Sequence, residues 1–358
     1  MRKFVIPLLI LSWFIFEPVK SQVDSTENNY AVADTQNVNT KLFESDDLFN
    51  ISLRFDITTY KRKRSDSTYL DAILTYYTGV NDSINKKVKV RARGEVRRLM
   101  CDFPPINLNF KMKEAGSDEF IGINKLKLVP YCKIGYEDYV LREFLIYKLY
   151  NLLTPYSFRV RLMRINFINT ARKSKPVVQY GFALEPQKLL ERRNHMMAVR
   201  TSNLTQLSMK PELMDRFAIF NYMIGNTDWA IPNQHNALVY MQQLSDRPDL
   251  GIPVPYDFDY AGLVNTDYAI PAPDLPIKSV RERLYMGVCR SEEEFTKATA
   301  EFLEKKDQFY KIINDFPYLS ARSKKDIFNY LNEFYSKFDK HNSIVKDLLN
   351  ECKVIRKF

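Results

Sequence analysis

A chain of 358 residues, 45% hydrophobic and 27% charged, has an ordinary globular composition with room for one large or two small cores. The formal net charge of +10 is scattered through predicted strands and helices with no recognition motif beside it. Nucleic acid is therefore not an expected partner, and a basic cleft for phosphates or a solvated surface accounts for the charge.

Arg2 and Lys3, an apolar run from Phe4 to Phe16 and the segment Val19-Lys20-Ser21 read as a signal peptide over residues 1–21, with cleavage before Gln22. The run is too short for a membrane-spanning helix. No cysteine stands at the cut, so a lipid anchor is not expected, and no later segment is apolar enough to span a membrane. Residues 22–44 form a polar linker. The expected location is secreted or periplasmic. There the four cysteines, Cys101, Cys132, Cys289 and Cys352, are competent to form disulfides in any of three pairings. Cys101 and Cys132 bracket neighbouring predicted strands and are the favoured pair. No CxxC or His-paired spacing points to zinc. His195, His235 and His341 lie far apart and read as surface or structural residues, although His235 adjoins Asn236.

Residues 45–186 are β-rich. Alternation over Phe49–Phe55, a run over Leu70–Tyr77 and alternation again over Val88–Gly94 predict three strands. Ile106–Phe110 and Leu126–Val129 predict two more, followed by an amphipathic helix from Glu137 to Leu153. Phe158–Ile168 and Val177–Leu184 form a hairpin with Arg172-Lys173-Ser174-Lys175-Pro176 at its tip. Glu185-Pro186 ends that pattern.

Residues 187–358 are mostly helical. Pro211 suits a first turn, Leu213, Phe217, Phe220 and Ile224 recur at helical spacing, and Gly225-Asn226 is a stop. Ala237–Met241 and Ile252–Tyr256 predict an antiparallel hairpin, with Pro253 and Pro255 placing the second strand at an edge. The hairpin brings Asn236 beside Asp257. Its end collects Asp228, Asn233, Asn236, Asp257 and Asp259, hard oxygen donors suited to Mg²⁺ or Mn²⁺. The same residue types also serve turns and helix ends by bonding local backbone. Ser279-x-x-Glu282 and Ser291-x-x-Glu294 are two capping boxes. Phe295, Phe302, Phe309, Ile313, Phe328, Leu331 and Phe334 then supply the apolar faces of terminal helices.

The phrasing Gly225-Asn226-Thr227-Asp228, His235-Asn236 and Pro255-Tyr256-Asp257-Phe258-Asp259 resembles CotH-type secreted kinases, and more weakly HipA-type kinases. The resemblance implies an α+β, two-lobed protein-kinase-like fold with a β-rich N-terminal lobe and a mostly helical C-terminal lobe. It implies Asp228 as the catalytic residue, and Asn236 and Asp257 as metal ligands with Asp259 as a spare. Asn233 stands where protein kinases place their Asn and is the alternative ligand, and Asp259 replaces the Gly of the DFG triplet. Arg93-Gly94 matches the family's Arg-Gly turn, but Glu95-Val96-Arg97-Arg98 replaces the serines that follow it. Lys127 with Glu143 would be the strand-lysine and helix-glutamate pair that positions nucleotide, with Lys125 and Lys111 as competitors for the lysine. The implied activity is transfer of the γ-phosphoryl group of ATP, with Mg²⁺ or Mn²⁺, to a protein or small-molecule hydroxyl. The alternative is a catalytically inactive kinase-like binding module of the cell envelope.

Overall fold

Period-2 patterning builds the first half of the chain into strands β1 (Phe49–Phe55), β2 (Leu70–Tyr77), β3 (Ser83–Ala92), β4 (Ile106–Phe110), β5 (Lys125–Pro130), β6 (Val160–Asn169) and β7 (Val177–Leu184). The computed structural model describes residues 40–79, 82–110, 118–201, 204–242, 246–339 and 343–355. The expected signal peptide, most of the linker, Lys111 and His341 lie outside the described residues. Leu42 and Phe43, at the end of the segment expected to be linker, are buried.

The strands are ordered β1-β2-β3-β4-β5-β7-β6 and the sheet closes into a barrel, because β6 lies parallel to β1 with Ile51 opposite Ile165. Leu53, Leu74, Val90, Leu108, Leu126, Leu128 and Ile165 fill its interior and are fully buried. The β-rich N-terminal region was expected. Its closure departs from the open sheet of an ordinary kinase lobe. Short helices α1 (Ile57–Lys63) and α2 (Val96–Met100) interrupt the meander, and α3 (Glu137–Leu153) crosses from β5 to β6.

After β7 come α4 (Gln187–Arg193), a two-residue strand β8 (Met197–Ala198), α5 (Pro211–Ile224), the hairpin β9 (Ala237–Met241) and β10 (Ile252–Pro255), and helices α6 (Glu292–Glu304), α7 (Lys306–Asp315), α8 (Ala321–Asp339) and α9 (Ser343–Ile355). Their apolar faces share one core with α3. Helix α3 was expected to be amphipathic. Most of it is buried instead, Arg142 and Glu143 included, because β6 and β7 pack on one side and α5 and α7 on others.

Ser291 and Glu294 form the expected capping box at the start of α6. Ser279 and Glu282 do not start a helix. Their side chains accept from Arg281 N–H and Lys278 N–H within a tight turn, and the next residues are drawn off, Arg283 to the Tyr330 carbonyl and Tyr285 N–H to Glu351. Cys101 and Cys132 form the expected disulfide, and Cys289 pairs with Cys352. Both bridges suit an oxidising compartment. Among the described residues no helix is long and apolar enough to cross a membrane.

Candidate functional site

Asp228 is positioned by the way α5 ends. Gly225 takes φ +67°, the left-handed conformation that glycine adopts without strain, and its N–H caps the carbonyls of Asn221 and Tyr222. Added Cβ atoms on Gly225 or Gly262 would each run into the Tyr330 hydroxyl, so the two glycines form a slot for that ring, and Gly262 N–H bonds the Gly225 carbonyl at 3.0 Å. Asn226 is buried, donates to Asn221 Oδ1 at 2.8 Å and accepts Asp228 N–H at 3.2 Å. Its amide thereby fixes the direction of the next turn. The Asp228 carboxylate is held by His235 Nε2 on Oδ1 at 2.8 Å and by Asn236 Nδ2 on Oδ2 at 2.9 Å, and its side chain is 34% exposed.

The hairpin delivers Asn236 and Asp257 to the same end. β10 is the edge strand of the order β10-β9-β8, so Pro253 and Pro255, paired with Val239 and Ala237, remove no ladder hydrogen bond, as the sequence implied. Tyr256 N–H bonds the Asn236 carbonyl at 3.0 Å, so the residue facing Asn236 is Tyr256 and Asp257 lies one step beyond, a shift from the expected pairing. Asn236 at φ +49° and Asp257 at φ +60° both adopt left-handed backbone. Asn and Asp are the non-glycine residues that tolerate it best. Two adjacent reversals turn both side chains out of the strand alternation.

Arg97 ties this end to the rest of the molecule. Gly94, at φ +87°, turns the chain out of β3 into α2. From there the Arg97 guanidinium donates to both oxygens of Glu143 at 3.0 Å, to Asp257 Oδ1, and through Nε to Asp259 Oδ2 at 2.9 Å. Tyr268 OH adds a bond to Asp259 Oδ2 at 3.0 Å, and Tyr147 OH accepts Asp257 N–H at 2.9 Å. Burial opposes the charge on Arg97, but Asp259, Glu143 and Asp257 together outweigh it and hold it protonated. Burial also works to raise the Asp257 carboxyl, yet Arg97, Arg93 and Lys127 leave it below the usual carboxylate range. Asp259 goes the other way. Its burial, with Asp257 and Glu143 adding repulsion, prevails over Arg97 and pushes it up to about 7.

Lys127 and Glu143 do not pair in this structure. Glu143 gives both oxygens to Arg97, while Lys127 Nζ lies 5.9 Å from the centre of the Tyr256 ring. Burial, then the neighbouring charge of Arg93, pushes Lys127 down to about 8. Among the described residues, neither Lys127 nor Arg93 has a side-chain ion pair. Lys125 is exposed.

A divalent ion was expected on Asn236 and Asp257. Asn236 Oδ1 and Asp257 Oδ2 carry no protein hydrogen bond among the described residues, and the Asp257 side chain is 40% exposed. A carboxylate and an amide oxygen are hard donors of the kind Mg²⁺ and Mn²⁺ take when phosphate oxygens complete the shell, so these two residues fit. Among the described residues no group of three or more His, Cys, Asp or Glu is arranged to hold a metal. Asp259 is turned to Arg97 and Tyr268. Asn233 is exposed, and its Oδ1 accepts His235 N–H at 3.2 Å, a bond that shapes the loop. A cavity of about 730 Å³ lies between the end of α3 and the start of β6, and none of these residues lines it.

Sequence reading overlooked Arg97 as the centre of the site and His235 as a partner of Asp228. The signals were the arginines replacing the family's serines after Gly94, and the adjacency of His235 to Asn236. No protein-family model and no curated protein matches the sequence. Among solved structures, a Helicobacter pylori proinflammatory kinase, CtkA, is similar at a TM-score of 0.39 with 12% identity, over 68% of this chain and 94% of that one.

Proposed function

We propose that this chain is a secreted or periplasmic atypical kinase of the CotH type, transferring the γ-phosphoryl group of ATP to a hydroxyl of a protein or small molecule. The observation that carries the proposal is the convergence of Asp228, Asn236 and Asp257 at one hairpin end beside Lys127 and Arg93, two cations with no side-chain ion pair among the described residues. Asn236 Oδ1 and Asp257 Oδ2 would hold Mg²⁺ or Mn²⁺, which neutralises phosphate charge in reactions of this class. Lys127 and Arg93 would bind phosphate oxygens, and Gly94 lets backbone approach them. Asp228, steadied by His235 and Asn236, would accept the proton of the acceptor hydroxyl as its oxygen bonds to the γ-phosphorus and the bond to the leaving ADP oxygen breaks. Proton and ADP then leave to solvent. Arg97 would hold Asp257 in register with Glu143, the partner expected of the strand lysine.

Thermal unfolding of the mature chain with ATP, alone and with Mg²⁺ or Mn²⁺, tests this reading. Ligand at 100 times its dissociation constant adds about 2.7 kcal/mol to the folded state. A metal-dependent rise in Tm is expected, and Asp257→Ala should abolish it without changing the circular dichroism of the fold. No rise at millimolar ATP with either metal would remove the assignment.

A second reading, a catalytically inactive binding module, is favoured by the guanidinium of Arg97 on Asp257 and Glu143. Full nucleotide affinity with no phosphoryl transfer to any acceptor would decide for it.

A further inference from the structure

The bonding of Arg97 limits what the acidic cluster has left to offer. Three carboxylates meet there, with six oxygens between them. Both oxygens of Glu143 accept from Arg97, Asp257 Oδ1 accepts from Arg97, and Asp259 Oδ2 accepts from Arg97 and Tyr268. Asp259 and Glu143 are buried, and Arg97 reaches them from the short helix α2. Among the described residues two of the six oxygens carry no protein hydrogen bond, Asp257 Oδ2 at the open end of the hairpin, where Asn236 Oδ1 is also unclaimed, and Asp259 Oδ1 on a buried side chain. Asp257 Oδ2 and Asn236 Oδ1 serve one hard cation completed by phosphate oxygens, whereas a second ion would find Asp259 Oδ1 alone and would need beside it a carboxylate oxygen that Arg97 already covers. The guanidinium is planar, permanently charged and forked, and so bridges several carboxylates in a way a single ammonium cannot.

We propose that Arg97 is a positioning residue that stands as a fixed cation where a second divalent ion would otherwise sit, so that nucleotide binds here with a single metal ion. The inference rests on the nucleotide reading above. It divides between residues what one lysine was expected to do: Arg97 orients Glu143 and Asp257, and Lys127 is left to the phosphates.

Counting Mn²⁺ on the full chain by electron paramagnetic resonance, with a non-hydrolysable ATP analogue at saturation, tests it without relying on turnover. One bound ion per chain is expected in the wild type. Two would overturn the inference while leaving the nucleotide reading in place. No bound Mn²⁺ with nucleotide would overturn the nucleotide reading, and this inference with it. In Arg97→Met the uncovered carboxylates should admit a second ion, seen as two per chain with the broadened signal of a neighbouring pair. Should that variant fail to fold, Arg97→Lys takes its place, since one ammonium cannot cover all three carboxylates. A count still at one in a folded variant of either kind would show that Arg97 is not what excludes the second ion.

Discussion

Asp257 and Asp228 sit at the same end of one hairpin, yet their surroundings differ in kind. Asp257 is gripped by a buried arginine that also holds Glu143 and Asp259, whereas Asp228 is touched by an imidazole and a carboxamide at the solvent edge. A carboxylate whose task is to stay put gains from a fixed counter-charge. One whose task is to take up a proton is better served by partners that orient it at the solvent edge than by a permanent cation fixed upon it. The difference predicts that loss of the arginine that grips Asp257 is felt first in the fold, and damage at Asp228 first in the chemistry.

The largest effect should come from Asp228→Asn, where phosphoryl transfer to a found acceptor is expected to fall by about 10²–10⁴, as for loss of a general base. Nucleotide dissociation constants from fluorescence titration should stay within about twofold. A comparable loss of binding would erase the contrast between the two acids.

Arg97→Met inverts that outcome. Leaving the buried Glu143 and Asp259 carboxylates, and the half-buried Asp257, without their cation should cost about 3–5 kcal/mol in urea unfolding. The gap between variant and wild type should narrow as pH falls toward 4, because protonation removes the uncompensated charges that the variant suffers from. His235→Ala, by comparison, should cost about 1 kcal/mol or less.

A smaller effect concerns Lys127. With its ammonium pushed down to about 8 by burial and by Arg93, affinity for ATP should be flat below that pH and fall by up to about tenfold per pH unit above it. Titrations from pH 6 to 9.5 would show the break, and Lys127→Arg should move it out of range. An unbroken profile in the wild type would remove Lys127 from the phosphate site.

Least of all should follow from Asn233→Ala. Its side chain bonds only local backbone, so stability should change by about 0.5 kcal/mol or less and metal-dependent nucleotide binding should persist. Asn236→Ala should lose that binding, and the reverse result would restore Asn233 as the ligand.

Much of the scaffold was legible because its signals are local. The helix from Glu137 to Leu153, the strand from Val177 to Leu184 and the strand from Ala237 to Met241 have the boundaries that their patterns predict. The pairing of Cys101 with Cys132 followed from their flanking strands. What escaped depends on contacts between distant parts of the chain. Barrel closure needs β1 to find β6, and a parallel pairing leaves no turn signature. Arg97 meets Glu143 and Asp257 across 46 and 160 residues, and an arginine in a charged turn looks the same whether it faces solvent or a carboxylate. The burial that moves Asp259 and Lys127 from their ordinary ranges is likewise invisible until the helices around them are in place. The Ser279 turn shows the converse, a local signal overruled when Arg283 and Tyr285 found partners elsewhere.

The slot that Gly225 and Gly262 make for Tyr330 has a consequence for modularity. Tyr330 belongs to α8, late in the chain, and Arg281 and Arg283 lie over its ring at 4.2 and 3.8 Å. The loop leading to Asp228 and the segment following Asp259 are thus both seated against a residue that comes after every candidate catalytic group. The barrel and hairpin are not a minimal unit to which terminal helices are merely appended. A chain shortened before α8 would keep all the residues named for the chemistry and lose the wedge that sets their spacing.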